Sequence, residues 1–220
     1  MGQLPKYKIQ EAKKAKREEK INKKRKVDTK PQNKLFLIVC EGEKTEPNYF
    51  EAIKNRYSDV KTIDIKGTGY NTLSLLKEAQ RLRDASEKDY DRVWIVFDKD
   101  DFNDNDFNKT IISAKKENIE CAWSNEAFEL WYVLHFCFLA SAIGRKDYIE
   151  VLEREIKKRK KEKLFKYKKN SKEMYSILNK YGNEETAIKN AIKLEKKYTG
   201  QEYAKHKPCT MVHKLVQQLK

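Results

Sequence analysis

No two cysteines in this chain have CxxC spacing. Cys40, Cys121, Cys137 and Cys209 stand far apart, which argues against a zinc ribbon and points to reduced, apolar cysteines of a cytosolic protein. No apolar run reaches the roughly 20 residues that a membrane-spanning helix needs. The nearest, 128–140, is too short and contains His135. The basic N-terminus has no apolar stretch behind it, so a secretory signal is not expected. The full GxxxxGK[ST] pattern is missing, so a Walker-type nucleotide site is not supported. Residues 98–106 are acidic, but the Gly and closing Glu of an EF-hand are not at the proper places. No internal repeat stands out.

Charge is what the chain does have, and it is uneven. The formal net charge is +15 over 220 residues, with 38% charged side chains. Residues 1–34 carry 13 basic and 4 acidic side chains, and residues 154–172 carry 11 and 2, so each segment is +9 and the remainder is −3. Localised positive charge suits a polyanion such as nucleic acid and gives fast, salt-sensitive association. A solvated tail and a solvated helix face are the plain alternatives. Residues 1–33 read as a basic tail with no apolar stripe to bury.

Four short runs rich in β-branched or aromatic residues predict strands at 34–40, 60–66, 91–97 and 119–123. Helical spacing predicts helices between them: one opened by Glu46-Pro47-Asn48, one at about 72–88, one running on to about 118, and one at 126–139. After Gly144 the pattern becomes helical to the end, at 147–163, 171–181, 184–198 and 210–219. The chain therefore reads as an α/β core, 34–144, with a mainly parallel sheet flanked by helices, and a helical C-terminal elaboration, 145–220, packed on it.

Two acidic clusters close two of these strands. Glu41-Gly42-Glu43 follows the first, and Asp98-Lys99-Asp100-Asp101 follows the third. In parallel α/β sheets, ligands bind just beyond the carboxyl ends of strands. Carboxylates gathered there repel one another, and a divalent cation removes the repulsion; oxygen donors suit Mg²⁺ or Mn²⁺. Asp98 and Asp100 are two apart, so in extended backbone both point the same way, with Lys99 pointing away. A solvated loop is the usual explanation of such a DxD; its pairing with Glu41 gives it weight. Glu43 and Asp101 are candidates for the same or a second ion. Glu126 and Glu129 share a helix face, and a helix start favours carboxylates in any case. Glu129 stands between Ala127-Phe128 and Leu130-Trp131, so it needs a cation or hydrogen-bond donors. His135, farther along, reads as a core histidine, and His213 as an exposed helix residue. Gly67 and Gly69 could cradle a phosphate with backbone amides. Lys44, Thr45 and Asn71 sit beside the same edge, and Lys157, Lys158, Arg159, Lys160 and Lys161 offer backbone contacts to nucleic acid.

Taken together, Cys40-Glu41-Gly42-Glu43-Lys44-Thr45-Glu46-Pro47-Asn48-Tyr49-Phe50, Phe97-Asp98-Lys99-Asp100, Ser124-Asn125-Glu126-Ala127-Phe128-Glu129-Leu130-Trp131 and Lys207-Pro208-Cys209-Thr210-Met211-Val212-His213-Lys214 resemble the RloB-like family. The resemblance covers the chain from about residue 34 onward. It implies a Toprim-like fold in which Glu41, Asp98 and Asp100 bind divalent metal. Glu126 stands where that family commonly has Pro, while Glu129 matches. The resemblance further implies an anti-phage or abortive-infection setting, often beside an ATPase partner. The resulting expectation is a cytoplasmic, Mg²⁺- or Mn²⁺-dependent nuclease acting on DNA or RNA, with Glu41, Asp98, Asp100 and Glu129 as its catalytic carboxylates. The alternatives are a nucleic-acid- or tRNA-binding module without hydrolysis, and a regulatory subunit active only with an ATPase. Self-association is compatible with all three.

Overall fold

The computed structural model describes residues 15, 34–57, 62–69, 72–100, 102–161 and 164–220. Residues 34–220 cluster as one compact unit. Its centre is a five-stranded sheet in the order β2-β1-β3-β4-β5, with β1 Leu35–Cys40, β2 Thr62–Gly67, β3 Arg92–Asp98, β4 Glu120–Asn125 and β5 Cys209–Thr210. The first four strands are mutually parallel, and β5 runs antiparallel to β4. The α/β class expected from the strand–helix alternation is what the chain adopts. The short β5 is an addition, because the sequence after Gly144 reads as helix only. A two-residue strand has too little periodicity to register in a pattern search.

Eight helices among the described residues cover the sheet: α1 Thr45–Arg56, α2 Thr72–Ala85, α3 Asp104–Lys116, α4 Glu129–Leu134, α5 Arg145–Lys160, α6 Met174–Tyr181, α7 Glu184–Glu195 and α8 Val212–Gln218. The central strands are buried on both sides, as helix-covered parallel strands must be. Leu37 and Val39 of β1 and Val93, Ile95 and Phe97 of β3 pack with Leu75, Ala79, Phe107 and Ile111 of α2 and α3. Phe36, Ile38, Trp94 and Val96 face the other way, onto α1, α4 and the C-terminal helices. The C-terminal helices thus complete one side of a shared core. No described helix is long and apolar enough to cross a membrane.

This order fixes where a site can form. The chain leaves β1 to reach β2 on one side, then returns past β1 to β3 on the other. Right-handed crossovers put α1 and α2 on opposite faces, which is how the two halves of the core are populated. A crevice therefore opens between the carboxyl ends of β1 and β3, the switch point at which ligands bind in such sheets.

Candidate active site

Strand register brings the two acidic clusters together at that crevice. Cys40 pairs with Val96, and the Glu41 amide donates to the Val96 carbonyl at 2.8 Å. The Asp98 amide in turn donates to Glu41 Oε2 at 3.1 Å. Beyond the strand, the Lys99 amide donates to the Ser124 carbonyl and the Asp100 amide to the Glu126 carbonyl. Asp100 adopts a φ of 37°, a left-handed conformation that Asp tolerates better than most residues. Lys99 points elsewhere, donating to the Phe102 carbonyl and pairing with Asp104.

Three helix starts supply the rest. Glu46 is in the first turn of α1, Glu129 is the first residue of α4, and Arg145 is the first residue of α5. Together with Glu41, Glu43, Asp98, Asp100, Lys44, Thr45 and Lys169 they line one cavity of about 390 Å³, within the range of ligand pockets. Six carboxylates meet three cations there. The Arg145 guanidinium lies among the acids: Nη2 is 3.1 Å from Asp98 Oδ2, Nη1 is 3.1 Å from Asp100 Oδ2, and Nε is 3.7 Å from Glu129 Oε2. Glu129 is only 2% exposed, and Tyr167 donates its hydroxyl to Glu129 Oε1 at 3.0 Å. The partners demanded by its apolar neighbours are therefore Tyr167 and Arg145.

The electrostatics follow from burial. Asp98, 7% exposed, has its carboxyl pushed well above the usual carboxylate range by burial and by Glu46 and Glu129, against the pull of Arg145. Glu46 is raised by burial and by Glu129, offset by its own backbone amide, Lys169 and Arg145. Burial pushes Glu41 up to about 7, opposed by the Asp98 amide. Asp98 Oδ1 is buried and accepts no hydrogen bond, a condition that carries a desolvation cost unless a ligand supplies a partner.

Other expected residues are placed as follows. Gly67 and Gly69 have a packing reason of their own: a Cβ on Gly67 would sit 2.8 Å from the Glu43 Cα, and one on Gly69, at φ +67°, would sit 3.1 Å from Glu43 Oε1. Thr45 gives its hydroxyl to the Lys169 carbonyl at 2.5 Å, and Asn48 donates to the Asn170 carbonyl at 3.0 Å, so the segment around Lys169 is strapped over the start of α1. Lys157, Lys158, Arg159 and Lys160 lie in the last turn of α5, about 18–22 Å along the helix from Arg145 at 1.5 Å per residue. Lys161 follows them at a φ of 56°. Arg159 is engaged with Glu155 and the Phe136 carbonyl. Asp101 and Asn71 lie outside the described residues. Glu126 accepts from Lys207. His135 is a core histidine, as expected, with Nδ1 2.9 Å from the Trp131 carbonyl. His213 departs from the expectation: it is 1% exposed, with Nε2 3.2 Å from Glu195, because α8 packs its first turn into the core.

Sequence reasoning missed Glu46, Arg145 and Tyr167 as pocket residues. For two of them a signal existed. Glu46 precedes Tyr49, Phe50 and Ile53, and Arg145 precedes Tyr148, Leu152 and Ile156, all buried. Each is the first member of its helix's inward stripe.

Mg²⁺ or Mn²⁺ is the ion expected from the oxygen donors of the acidic clusters, and the resemblance implies a divalent metal at Glu41, Asp98 and Asp100. Among the described residues, no three Asp, Glu, His or Cys side chains stand as a ready-made ligand set; Arg145 pairs with three of the acids instead. The donor chemistry nonetheless fits a hard cation, with carboxylate oxygens in excess over cations and one buried oxygen unpartnered. In comparisons with known proteins, a family model described as RloB-like protein matches residues 36–219. No curated protein and no solved structure matches the chain.

Proposed function

The chain belongs to the RloB-like protein family, and from its acidic pocket we propose that it is a divalent-metal-dependent nuclease with a Toprim-like catalytic core. The observation that carries this reading is Asp98, a buried carboxylate with one oxygen unpartnered, at a β-strand end beside Glu41. Asp98, Glu41 and Asp100 would hold the ion, and Glu43, Glu46 and Glu129 would complete the site or serve a second ion. When bound, Mg²⁺ or Mn²⁺ supplies Lewis acidity toward a phosphate oxygen and lowers the pKa of water.

The chain's own residues do the remaining work. The Asp98 amide fixes one Glu41 oxygen at 3.1 Å, which orients that carboxyl group for the ion or, as the alternative to ligation, for the role of general base. Tyr167 and the strap at Thr45 hold Glu129 and Lys169 at the pocket wall. Lys44 and Lys169 line the mouth and attract a phosphodiester backbone without reading bases. The basic segment along α5 extends that attraction away from the pocket, toward a DNA or RNA strand. An anti-phage setting and an ATPase partner follow from the family resemblance alone.

The test is metal-dependent cleavage of DNA and RNA panels by the wild type and by Asp98→Ala. Loss of cleavage in the variant is expected; equal activity in both proteins would sink the assignment. A second reading, nucleic-acid binding without hydrolysis, draws on the three ion pairs through which Arg145 neutralises the acids. It predicts binding that survives both Asp98→Ala and a chelator, with no cleavage.

A further inference from the structure

We infer that Arg145 is the resident counter-cation of the metal site: in the metal-free protein it neutralises Asp98, Asp100 and Glu129, and a divalent ion must displace it to bind. This rests on the metal-dependent reading above. Four observations support it.

The first is stoichiometric. One guanidinium contacts three carboxylates, at 3.1, 3.1 and 3.7 Å: Asp98 and Asp100, two of the three proposed ligands, and Glu129 at the start of α4. The second is a mismatch. Arg145 answers the charge of the acids but leaves its own Nε without a hydrogen bond and Asp98 Oδ1 without a donor, so the occupant does not complete the site. The third is position. Arg145 is the first residue of a 16-residue helix, where the helix dipole disfavours a positive charge. Only the acids opposite it make that placement favourable. The fourth is access. The side chain is 28% exposed and lines the cavity, so it can withdraw into solvent without unpacking the Tyr148, Leu152 and Ile156 stripe behind it.

The geometry also explains why the acids do not already form a ligand cage. Oxygens around a guanidinium stand about 2.9 Å from its nitrogens, whereas Mg²⁺ holds oxygens at about 2.1 Å. Carboxylates spaced for the first must draw inward for the second. Bound Arg145 therefore lowers the apparent metal affinity by the fraction of time the site is open; if the paired form prevails by about ten to one, the loss is about tenfold.

The experiment measures Mn²⁺ binding calorimetrically to chelator-stripped wild type, Arg145→Gln and Arg145→Lys. Arg145→Gln should bind Mn²⁺ about tenfold more tightly, and Arg145→Lys should fall between it and the wild type. Wild-type binding with no gain in Arg145→Gln overturns the inference and leaves the metal site standing. No Mn²⁺ binding to either protein overturns the metal reading and the inference together. Should Arg145→Gln fail to fold, the Arg145 Nε–H resonance of the wild type is followed while Mg²⁺ is added. A shift with saturation supports displacement; an unmoved resonance in a protein that binds Mg²⁺ overturns it.

Discussion

Asp98→Asn is expected to stabilise the metal-free protein. Burial is the largest influence on this carboxyl, followed by Glu46 and Glu129, and together they outweigh Arg145. The folded state therefore resists ionisation more than the unfolded chain does. The sign follows. Above the unfolded value of about 3.9 the unfolded chain releases its proton first, so stability falls as pH rises, by about 1.4 kcal/mol per unit, until the folded carboxyl also ionises. At pH 7 that penalty has a ceiling of about 4 kcal/mol. Asparagine keeps the shape and removes the charge. The pull of Arg145 at 3.1 Å is already counted in that net shift. Part of that contact survives in the variant, because the amide oxygen still accepts and Asp100 still pairs with Arg145. The gain is therefore bounded by that ceiling, and a gain of about 1 kcal/mol, the usual size of a single-substitution effect, would raise the midpoint by about 2–4 °C for a chain of this size. Urea and thermal unfolding in chelator, and again with Mn²⁺, test it. The variant should be the more stable protein in chelator, and Mn²⁺ should stabilise the wild type alone. A variant less stable than wild type in chelator by about 1 kcal/mol or more would refute the reasoning, and would mean that the Asp98–Arg145 pair serves the fold.

Three further outcomes are expected. Burial holds His135 down at about 4, from an ordinary value of 6.5. Stability is thus complete above about 6.5 and falls as pH drops toward about 4, by about 3 kcal/mol in all; an NMR titration of His135 with a midpoint near the ordinary value would contradict this. Tyr49 accepts from Trp131 Nε1 at 2.8 Å in the core, so Tyr49→Phe should cost about 1–3 kcal/mol in urea denaturation by orphaning a buried donor, and a neutral result would show that the indole finds another partner. Gly67→Ala places a Cβ 2.8 Å from the Glu43 Cα and 2.9 Å from the Gly42 carbonyl, both backbone atoms. The expected loss is about 1–3 kcal/mol together with weaker Mn²⁺ binding, and unchanged Mn²⁺ affinity would separate this loop from the site.

Much of the scaffold was legible because the signals are strong where both faces of a strand are buried. The runs ending at Cys40 and Phe97 have no other stable reading in a chain without membrane-length segments, and β1 and β3 form where those runs lie. The convergence of Glu41 with Asp98 followed from the rule about strand ends. Two things were not legible. The helix expected over 126–139 shrinks to Glu129–Leu134: the apolar residues around it are buried by the helices that pack on them, so hydrophobicity alone extended it too far. Tyr167 meets Glu129 across 38 positions of chain, from an irregular segment, and no local pattern encodes such a contact.

Glu46 and Arg145 belong to a different class, because their periodicity was visible while their charge hid it. A helix that follows a parallel strand starts at the sheet's carboxyl edge. Its inward stripe therefore begins at the site and runs away from it. The first member of that stripe faces the pocket, and only the later members face the core. Glu46 before Tyr49, Phe50 and Ile53 obeys this geometry, and so does Glu129 before Tyr132 and Val133. Arg145 before Tyr148, Leu152 and Ile156 heads the same kind of stripe on a helix that follows α4 rather than a strand. A charged residue heading an apolar stripe is expensive to place there unless another charge answers it. In this fold three such residues, two acids and one base, answer one another and the strand-end carboxylates. Reading each helix backward along its buried face, past the last apolar residue to the first charged one, would have located both missing residues from the sequence.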